Sequence, residues 1–425
     1  MPHPNAPCDF DLVIVGASFA GAACAIAAAQ RGLRVCILER KHDPGSKLHM
    51  TGIIVKEAAE RTLLHRVPAQ MTRRVAQVRL YAPSLKQVAL AAPGYYFLTT
   101  DTPQVMRWLT EQMRGHGVDL RLGCAFTGAQ RLAEGWQVDG VGRAAYLVGA
   151  DGARSRVARH CGLGEVRQFL YGIEYEFPGA TLSDPGALHC FISKRYAPGY
   201  IGWIAQSPTG VQAGLALRHD PFRARVPDID GFLMRVGQAG GLPRHLKPGH
   251  TRAGLIPCSG PVADMTRDRA ILIGDAAGIV SPVTAGGIHS AWEHGGAVGR
   301  AVAARLLDDG PAPEGEAVRA APRFRTKRRC AGPSITCSST GRSTCCCTRR
   351  RCAGPRSRCT STRDGREETA SARPCLHGRT PSLPPRRARV DSDGGRGGHP
   401  ARSVRTGETL RRCGARCRPK RPSPR

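Results

Sequence analysis

Residues 11–39 constrain the fold more than any other stretch of the chain. An apolar run at residues 12–15 leads into a turn that has glycines at positions 16 and 21, and an alanine-rich segment follows. A second apolar run then ends in Glu39. This order predicts a βαβ unit, in which two parallel strands are joined by a helix.

The turn of this unit has the pattern of a site for the ADP half of a dinucleotide. Gly16 lets the strand turn sharply and Gly21 lets helix and strand pack closely, while Ser18 stands where the pattern usually has a middle glycine. The helix N-terminus, which begins beside Ala17, offers N–H groups and partial positive charge to a pyrophosphate. Glu39, about 20 residues on, can accept hydrogen bonds from ribose hydroxyls. The alternative is a purely structural turn between strand and helix.

The net charge of +30 is concentrated in one part of the chain. Residues 321–425 hold 28 Lys and Arg against 6 Asp and Glu, which leaves residues 1–320 with a net charge of +8. Of the 17 cysteines, 10 lie after position 320. We therefore interpret the two parts separately, and the overall charge does not by itself predict a nucleic-acid partner.

Length and composition predict a globular cytoplasmic protein. With 425 residues, 41% of them apolar, the chain can bury a substantial core, which we expect to form two intertwined domains. No continuous apolar run reaches the roughly 18 residues that a membrane-spanning helix needs. Residues 1–9 lack the basic region and apolar core of a signal peptide, so we expect a cytoplasmic protein with reduced thiols.

After the βαβ unit, a loop over residues 43–52 would lie at the carboxyl edge of the sheet, above a bound cofactor. The next elements are predicted from periodicity and turn residues. They are a helix over 53–64, strands of a second, antiparallel sheet over 75–91, a helix over 99–113 with Thr102 as N-cap and Pro103 in its first turn, a strand over 118–122, and a hairpin of 136–138 with 144–148 around Asp139 and Gly140.

The segment 149–159 places an acid, Asp151, between the end of a strand and the start of a helix. A carboxylate at this position can reach a cofactor, and Gly152 beside it leaves room for one. It can equally cap the helix that follows. The residues themselves favour neither role.

Residues 164–252 are aromatic and strand-like, and they predict a β-sheet that covers a substrate cavity. The predicted strands run over 171–177, 189–192, 200–205 and 211–217. The segment 197–203 is the most unusual, because Tyr200 and Trp203 could either line the cavity or form sheet core.

Residues 270–307 predict a site for the flavin half of the cofactor. A buried strand over 270–273 leads to Gly274 and Asp275, and a strand-end aspartate can bond a ribityl hydroxyl. Gly286 and Gly287 allow backbone to approach a flat ring. The N-terminus of the helix predicted over 288–307 can stabilise negative charge on a reduced isoalloxazine.

The stretches 16–39, 149–159 and 274–287 occur in an order that resembles the FAD-dependent oxidoreductases of the para-hydroxybenzoate hydroxylase type. Within that group the chain is most similar to the geranylgeranyl reductase branch, over residues 9–310. The resemblance implies an α/β (α+β) protein, in which a Rossmann-like FAD-binding domain carries an inserted antiparallel β-sheet substrate domain. It implies FAD contacts from Gly16, Ala17, Ser18, Gly21, Glu39, Arg40, Asp151, Gly152, Gly274, Asp275, Pro282, Gly286 and Gly287.

The same resemblance implies the domain order. The FAD-binding domain comprises residues 9–75, 99–163 and 253–320, and the substrate domain comprises strands in 76–98 and the sheet in 164–252. Outside the resemblance, the composition of residues 321–425 predicts a disordered basic tail. Residues 199–203 resemble the aromatic substrate-cavity motif of the branch, which makes Tyr200 and Trp203 candidate substrate-binding residues.

The chain also departs from the branch. Prenyl reductases often have a cysteine in the loop that matches residues 47–52, and here the matching residues are His49 and Met50. The aromatic motif usually continues into Phe-Pro, whereas residues 204–206 are Ile-Ala-Gln, and an arginine often found near Thr102 is absent. These differences bear on the prenyl substrate and leave the FAD assignment unchanged.

The expected activity is reduction of carbon–carbon double bonds in a small apolar, isoprenoid-like substrate by reduced FAD; the alternative is an aromatic monooxygenase. NAD(P)H or another reductant would bind transiently, because no second nucleotide-binding turn of this kind occurs. Catalytic residues are not identified, and His49, Tyr200 and His289 are the candidates for the proton donor. We expect no nucleic-acid partner, no metal, and at most a peripheral contact with a membrane.

Residues 325–425 contain no Phe, Tyr or Trp, so they cannot bury enough apolar surface to offset the entropy of ordering. A basic binding arm, and hence a non-enzymatic interaction protein, would rest on this tail alone. A zinc site is disfavoured because no Cys-x-x-Cys pair occurs. A reading-frame change between about Arg323 and Cys330 explains the composition better. With GC-rich codons, residues 332–349 shifted by two nucleotides read PFDHLQLDWPFDLLLHS.

The frame-change hypothesis predicts that resequencing the locus will restore a C-terminal segment rich in Leu, Phe and Trp. Without that segment we expect exposed apolar surface and aggregation. DNA that confirms the present frame, together with a protease-resistant unit at residues 330–425, would contradict the hypothesis.

Overall fold

The computed structural model of the protein describes residues 8–220, 222 and 225–324. Within these residues, short 3-10 turns cover Leu63–Arg66, Ala69–Met71 and Gly274–Ala277. The helices are α1 (Phe19–Ala29), α2 (Lys56–Arg61), α3 (Thr102–Gly115), α4 (Arg156–His160), α5 (Ile229–Val236), α6 (Ile288–Leu307) and α7 (Pro313–Ala320). The strands are β1 (Phe10–Val15), β2 (Val35–Glu39), β3 (Ile54–Val55), β4 (Thr72–Val75), β5 (Gln77–Tyr81), β6 (Gln87–Leu90), β7 (Phe97–Thr100), β8 (Asp119–Leu122), β9 (Ala129–Leu132), β10 (Gly135–Val138), β11 (Gly142–Gly149), β12 (Phe169–Pro178), β13 (Ala187–Ile192), β14 (Ile201–Ser207), β15 (Gly210–Arg218), β16 (His250–Pro257), β17 (Thr266–Arg267) and β18 (Ala270–Leu272).

The first sheet carries the βαβ unit that the sequence predicts. Its strands follow the order β17-β18-β11-β1-β2-β8, and β1 pairs in parallel with both β2 and β11. The hairpin of β10 and β11 extends this sheet as predicted. Because β1, β11 and β18 are parallel neighbours, their carboxyl ends bring the three motifs to one edge.

The second sheet has seven strands in the order β16-β12-β15-β14-β13-β5-β6. The predicted fold class, a mixed α/β fold with an inserted second sheet, is confirmed. The expectation of a wholly antiparallel sheet is wrong in one place, because β5 pairs with β13 in parallel. These two strands are far apart in the sequence, so no hairpin turn imposes an antiparallel direction on them.

Helix α1 is made almost entirely of alanine and other small residues because it is buried on nearly every side. It packs against α6, where Gly295 and Gly299 lie directly on its backbone. A Cβ at Gly295 would stand 2.3 Å from the carbonyl oxygen of Ala20, and one at Gly299 would stand 2.3 Å from that of Cys24. This close crossing brings the N-termini of α1 and α6 to the same region of the fold.

Two local predictions are corrected. The helix predicted over 53–64 is divided into β3, α2 and a 3-10 turn, because Ile54 and Val55 pair with β7 instead. The N-cap of α3 is Asp101 and not Thr102, since the Asp101 carboxylate accepts the N–H of Gln104 at 3.2 Å. Thr102 is the first helical residue and its hydroxyl donates to the carbonyl of Thr51.

The two faces of the second sheet have different environments. One face packs against α5 around Phe191, Phe232 and Leu215, which are almost fully buried. The opposite face carries Trp203, and beside it a small apolar cluster forms with the loop ahead of α6. This second face is where the sequence places the substrate.

None of the helices in the described part of the chain is long and apolar enough to cross a membrane. Residues 325–425 lie outside the described residues. The predictions of a disordered tail and of a frame change concern these residues and stay predictions. The division of residues 9–320 between FAD-binding and substrate domains stays a prediction.

Candidate active site

The turn after β1 requires both of its glycines. Gly16 has a φ of +102°, and a Cβ there would lie 2.4 Å from the carbonyl oxygen of Ala150. A Cβ at Gly21 would lie 1.9 Å from the carbonyl oxygen of Gly16. Ser18 has φ −90° and ψ −170°, an extended conformation that suits any residue, so the backbone does not need a glycine at this position.

Glu39 closes this turn from the end of β2. It is 9% exposed, and its two oxygens accept the N–H groups of Ala17 at 3.1 Å and Lys41 at 3.0 Å. A carboxylate has about four lone-pair positions, so two remain for hydroxyl donors. The N–H groups of Ser18 and Phe19 make no hydrogen bond within the described residues, as expected at an open helix N-terminus.

Asp151 caps α4 together with Ser155, which is the N-cap residue and accepts the N–H of Ala158. The Asp151 carboxylate accepts the Ser155 hydroxyl at 2.5 Å and the N–H groups of Arg156 at 2.6 Å and Val157 at 3.2 Å. The capping alternative therefore describes this side chain, and an FAD contact from it stays a prediction. Gly152 has a φ of +86°, and no atom lies within 4 Å of its ideal Cβ position. The side chain of Arg40, another predicted FAD contact, is exposed.

Asp275 lies in an environment that suits the binding of a hydroxyl donor. It follows β18 and its carboxylate has no hydrogen-bond or ion-pair partner within the described residues. Burial raises the pKa of Asp275 from 3.8 to about 6. A Cβ at Gly287 would stand 3.6 Å from its Oδ1, so Asp275 faces the N-terminus of α6. Gly274 has a φ of +56°, and Pro282 is buried.

The candidate substrate residues Tyr200 and Trp203 lie beside the loop that precedes α6. Both pack, with Ala285 and Ile256, against a small buried cluster of Leu170, Ala216 and Cys258. The Tyr200 hydroxyl donates to the carbonyl of Thr284 at 2.5 Å. The structure thus brings the second sheet and the Gly286–Gly287 segment together, although contact with a substrate stays a prediction.

The loop predicted to cover the cofactor is held from two sides. His49 Nδ1 lies 2.8 Å from the carbonyl oxygen of Ala253, and a Cβ at Gly254 would stand 2.9 Å from His49 Cβ. On the other side, the hydroxyl of Thr100 donates to the carbonyl of Gly52 at 2.8 Å. The loop is therefore held between the second sheet and the residues just before α3.

Two buried charged residues of the second sheet, Glu174 and Arg252, were not expected from the sequence. They are 4% and 8% exposed. Trp203 Nε1 donates to Glu174 Oε2 at 2.9 Å, and Arg252 donates to the carbonyl of Met50 at 3.0 Å. The signal was present in the alternation of β12, where an acid stands on the face opposite to Ile173 and Tyr175.

The residues present fit FAD. No side chain fits at Gly16 or at Gly21, and the N–H groups of Ser18 and Phe19 between them make no hydrogen bond within the described residues. Asp275 is a desolvated acceptor without a donor in the same part of the chain. Two glycines and the N-terminus of α6 stand beside Asp275, where a flat ring system can approach backbone. Acceptors for hydroxyls and donors for a pyrophosphate thus lie on one edge of the first sheet.

Replacing Glu39 with alanine is expected to weaken FAD binding by about 1.5–3 kcal/mol, because a charge-assisted hydrogen bond to the ribose is lost. Titration of the FAD-free protein with FAD, followed by flavin fluorescence, measures the change. Glu39→Gln is the matched control, since it keeps one carbonyl oxygen and should lose less. Unchanged affinity in Glu39→Ala would exclude the ribose contact.

Comparison with known proteins also supports FAD as the cofactor. A family model described as FAD-dependent oxidoreductase matches residues 11–149. A digeranylgeranylglycerophospholipid reductase from Methanopyrus kandleri is 28% identical over 323 residues, which cover 71% of this chain and 78% of the relative.

Solved structures share the fold. A geranylgeranyl bacteriochlorophyll reductase-like protein from Thermoplasma acidophilum superposes with a TM-score of 0.64 at 19% identity, over 76% of this chain and 88% of the other. Aklavinone-11 hydroxylase in complex with FAD and aklavinone gives a TM-score of 0.57 at 21% identity, over 72% of this chain and 64% of the other.

Proposed function

We propose that this chain, which is an FAD-dependent oxidoreductase similar to the geranylgeranyl reductases, saturates carbon–carbon double bonds of an apolar, isoprenoid-like substrate. The observation that carries the proposal is the apolar cluster around Leu170, Trp203, Ala216 and Ile256, which meets the loop ahead of α6 at Ala285. Reductases of isoprenoid lipids are among the named relatives. FAD, when bound, supplies the hydride chemistry.

The residues of the chain would bind the cofactor, position it and exclude water. The turn around Gly16 and the carboxylate of Glu39 would hold the ADP half, and Asp275 would hold the ribityl chain. The N-terminus of α6 offers partial positive charge beside Gly287. The loop at His49, which lies against Gly254, would limit the access of water from one side.

The three proton-donor candidates differ in their surroundings. His49 is exposed, and His289 Nε2 lies 3.0 Å from Glu293 Oε1. The Tyr200 hydroxyl donates to the carbonyl of Thr284, and burial raises its pKa well above the ordinary value of 10.0. A tyrosine whose proton is held in this way is a poor acid near neutral pH.

Anaerobic reoxidation of the FAD-loaded, dithionite-reduced protein tests this function. Geranylgeraniol is the probe, and 4-hydroxybenzoate is the comparison compound. The proposal predicts that geranylgeraniol reoxidises the flavin without oxygen, whereas 4-hydroxybenzoate does not. Flavin that is reoxidised only after oxygen is admitted, with consumption of the aromatic compound, would instead support the monooxygenase.

A further inference from the structure

A row of side chains crosses four strands of the second sheet on the face that carries Trp203. Trp203 on β14 stands opposite Gly214 on β15, Gly214 stands opposite Glu174 on β12, and Glu174 stands opposite Arg252 on β16. Directly opposed residues in antiparallel strands point to the same face. The row therefore joins a tryptophan of the candidate substrate site to two buried charges.

Trp203 is held in this row by a gap and by an acceptor. A Cβ at Gly214 would lie 2.6 Å from Cζ2 of the indole, so the glycine leaves room for the ring to lie across β15. Beyond that gap, Trp203 Nε1 donates to Glu174 Oε2 at 2.9 Å. Because an indole has a single N–H donor, this hydrogen bond determines where the polar edge of the ring points.

Donors and positive charge surround the Glu174 carboxylate. Its Oε1 makes no hydrogen bond within the described residues but faces Arg252 Nη1 at 3.7 Å, while the other terminal nitrogen of Arg252 contacts Glu176 closely. Burial and, to a smaller extent, the charge of Glu176 raise the pKa of Glu174, whereas Arg252, Thr51 and Trp203 all favour its ionised form. An ionised acceptor makes a stronger hydrogen bond to the indole than a neutral one does.

The row also connects Trp203 to the loop over residues 43–52. On one side, Trp203 packs against the small buried cluster that Ala285 joins from the loop ahead of α6. On the other side, Arg252 Nη1 donates to the carbonyl of Met50 at 3.0 Å, and Thr51 acts on the Glu174 carboxylate as a hydrogen-bond donor. Glu174 therefore lies between the tryptophan of the proposed substrate site and the loop predicted to cover the cofactor.

We propose that Glu174 is a positioning residue, which acts on the substrate site through Trp203. This inference rests on the proposed function. The carboxylate holds the indole in one orientation, and Arg252 holds the carboxylate in place. Without its acceptor, the indole N–H would be left unpaired in an apolar site, so the ring would turn towards another partner and change the shape of the cavity. Glu174 itself neither contacts the substrate nor transfers a proton to it.

Substitutions at position 174 separate the acceptor from the size of the side chain. Glu174→Gln keeps an oxygen for the indole N–H at nearly the same size, whereas Glu174→Leu removes the acceptor. Both variants leave Arg252 paired with Glu176, so no buried charge loses its last partner and the sheet should fold. Glu176→Gln is the matched control, because it removes the other carboxylate beside Arg252 and leaves the hydrogen bond of Trp203 in place.

The first test observes the indole without any substrate. The FAD-loaded protein, labelled with ¹⁵N-tryptophan, has four tryptophans, and Trp203→Phe identifies the indole N–H signal of Trp203 by its loss. Glu174→Leu should shift this signal upfield, Glu174→Gln should shift it less, and Glu176→Gln should leave it in place. A Trp203 signal that is the same in the wild type and in Glu174→Leu would overturn the proposal.

The second test is the anaerobic reoxidation of the reduced protein at increasing concentrations of geranylgeraniol. Glu174→Leu should bind FAD like the wild type but need a roughly 10- to 100-fold higher geranylgeraniol concentration for half the maximal rate, with a smaller change in that rate. Glu174→Gln should recover most of this loss, and Glu176→Gln should behave like the wild type.

A double variant shows whether Glu174 acts through Trp203. Glu174→Leu combined with Trp203→Phe should be no worse than Trp203→Phe alone, because the bond is already lost in the single variant. Losses that multiply in the double variant, an unchanged half-saturating concentration in Glu174→Leu, or an equal loss in Glu176→Gln would each overturn the positioning role. Failure of the wild type to turn over would overturn the proposed function instead, while the indole signal still reports separately on Glu174.

Discussion

Replacing Gly16 with valine is expected to prevent the protein from folding around its cofactor. The new Cβ would stand 2.4 Å from the carbonyl oxygen of Ala150, at a φ of +102° that L-residues rarely adopt. Ala150 belongs to the backbone that links β11 to Asp151, so no side-chain movement relieves the clash. The structure thus revises the reason for this glycine, because the strand end is crowded before any pyrophosphate is present. We expect a loss of more than about 4 kcal/mol in the free energy of unfolding.

Gly32→Val is the matched control for this prediction. Gly32 has a similar φ of +93°, but no atom lies within 4 Å of its ideal Cβ position. The free energy of unfolding of this variant should fall only by the cost of backbone strain, about 1–3 kcal/mol, and the variant should still bind FAD. Chemical unfolding and flavin absorbance of the two variants distinguish the effect of backbone strain from the effect of the steric clash. A folded Gly16→Val protein with wild-type flavin absorbance would show that this turn does not have the predicted role.

Asp275→Asn is expected to change the stability of the FAD-free protein and its FAD affinity in opposite directions. Burial raises the pKa of Asp275 from 3.8 to about 6, so the folded protein binds this proton more tightly than the unfolded chain does. The wild type therefore loses stability as the pH rises from about 4 through about 6. The asparagine variant does not, because its side chain does not ionise. At pH 8 the FAD-free variant should be more stable, by at most about 3 kcal/mol.

The same substitution should weaken FAD binding, because the charged acceptor for a ribityl hydroxyl is lost. Urea unfolding of the FAD-free proteins at pH 4 and pH 8 measures the change in stability. Taking the difference between wild type and variant removes the contribution of other titrating groups. Fluorescence titration with FAD measures the change in affinity. A variant that is less stable at pH 8, or that binds FAD as tightly as the wild type, would contradict the assignment of Asp275.

The sequence predicted well what is determined by neighbouring residues. The turn at Gly16 and the carboxylate of Glu39 could be found because glycine spacing and a strand-end acid are local signals. The bounds of α6 were predicted at both ends, since Gly287 precedes it and its apolar periodicity is continuous. The role of Asp151 could not be decided, because capping and cofactor binding call for the same residue at the same place.

The parts that the sequence did not reveal depend on strand register. Trp203, Gly214, Glu174 and Arg252 lie in line across the second sheet only because three separate strand pairs bring residues from four strands together. No spacing between positions 174, 203 and 252 contains that information. Likewise, β5 and β13 pair in parallel across more than 100 residues, and no local turn signal predicts such a pair.

The mass of the product made without oxygen tests the central claim most directly. FAD-loaded, reduced protein is incubated anaerobically with geranylgeraniol, and the organic phase is analysed by mass spectrometry. Our account predicts a product that has gained two hydrogen atoms for each double bond reduced and has no added oxygen. Unchanged alcohol under anaerobic conditions, together with a product that has gained oxygen when air is admitted, would contradict it.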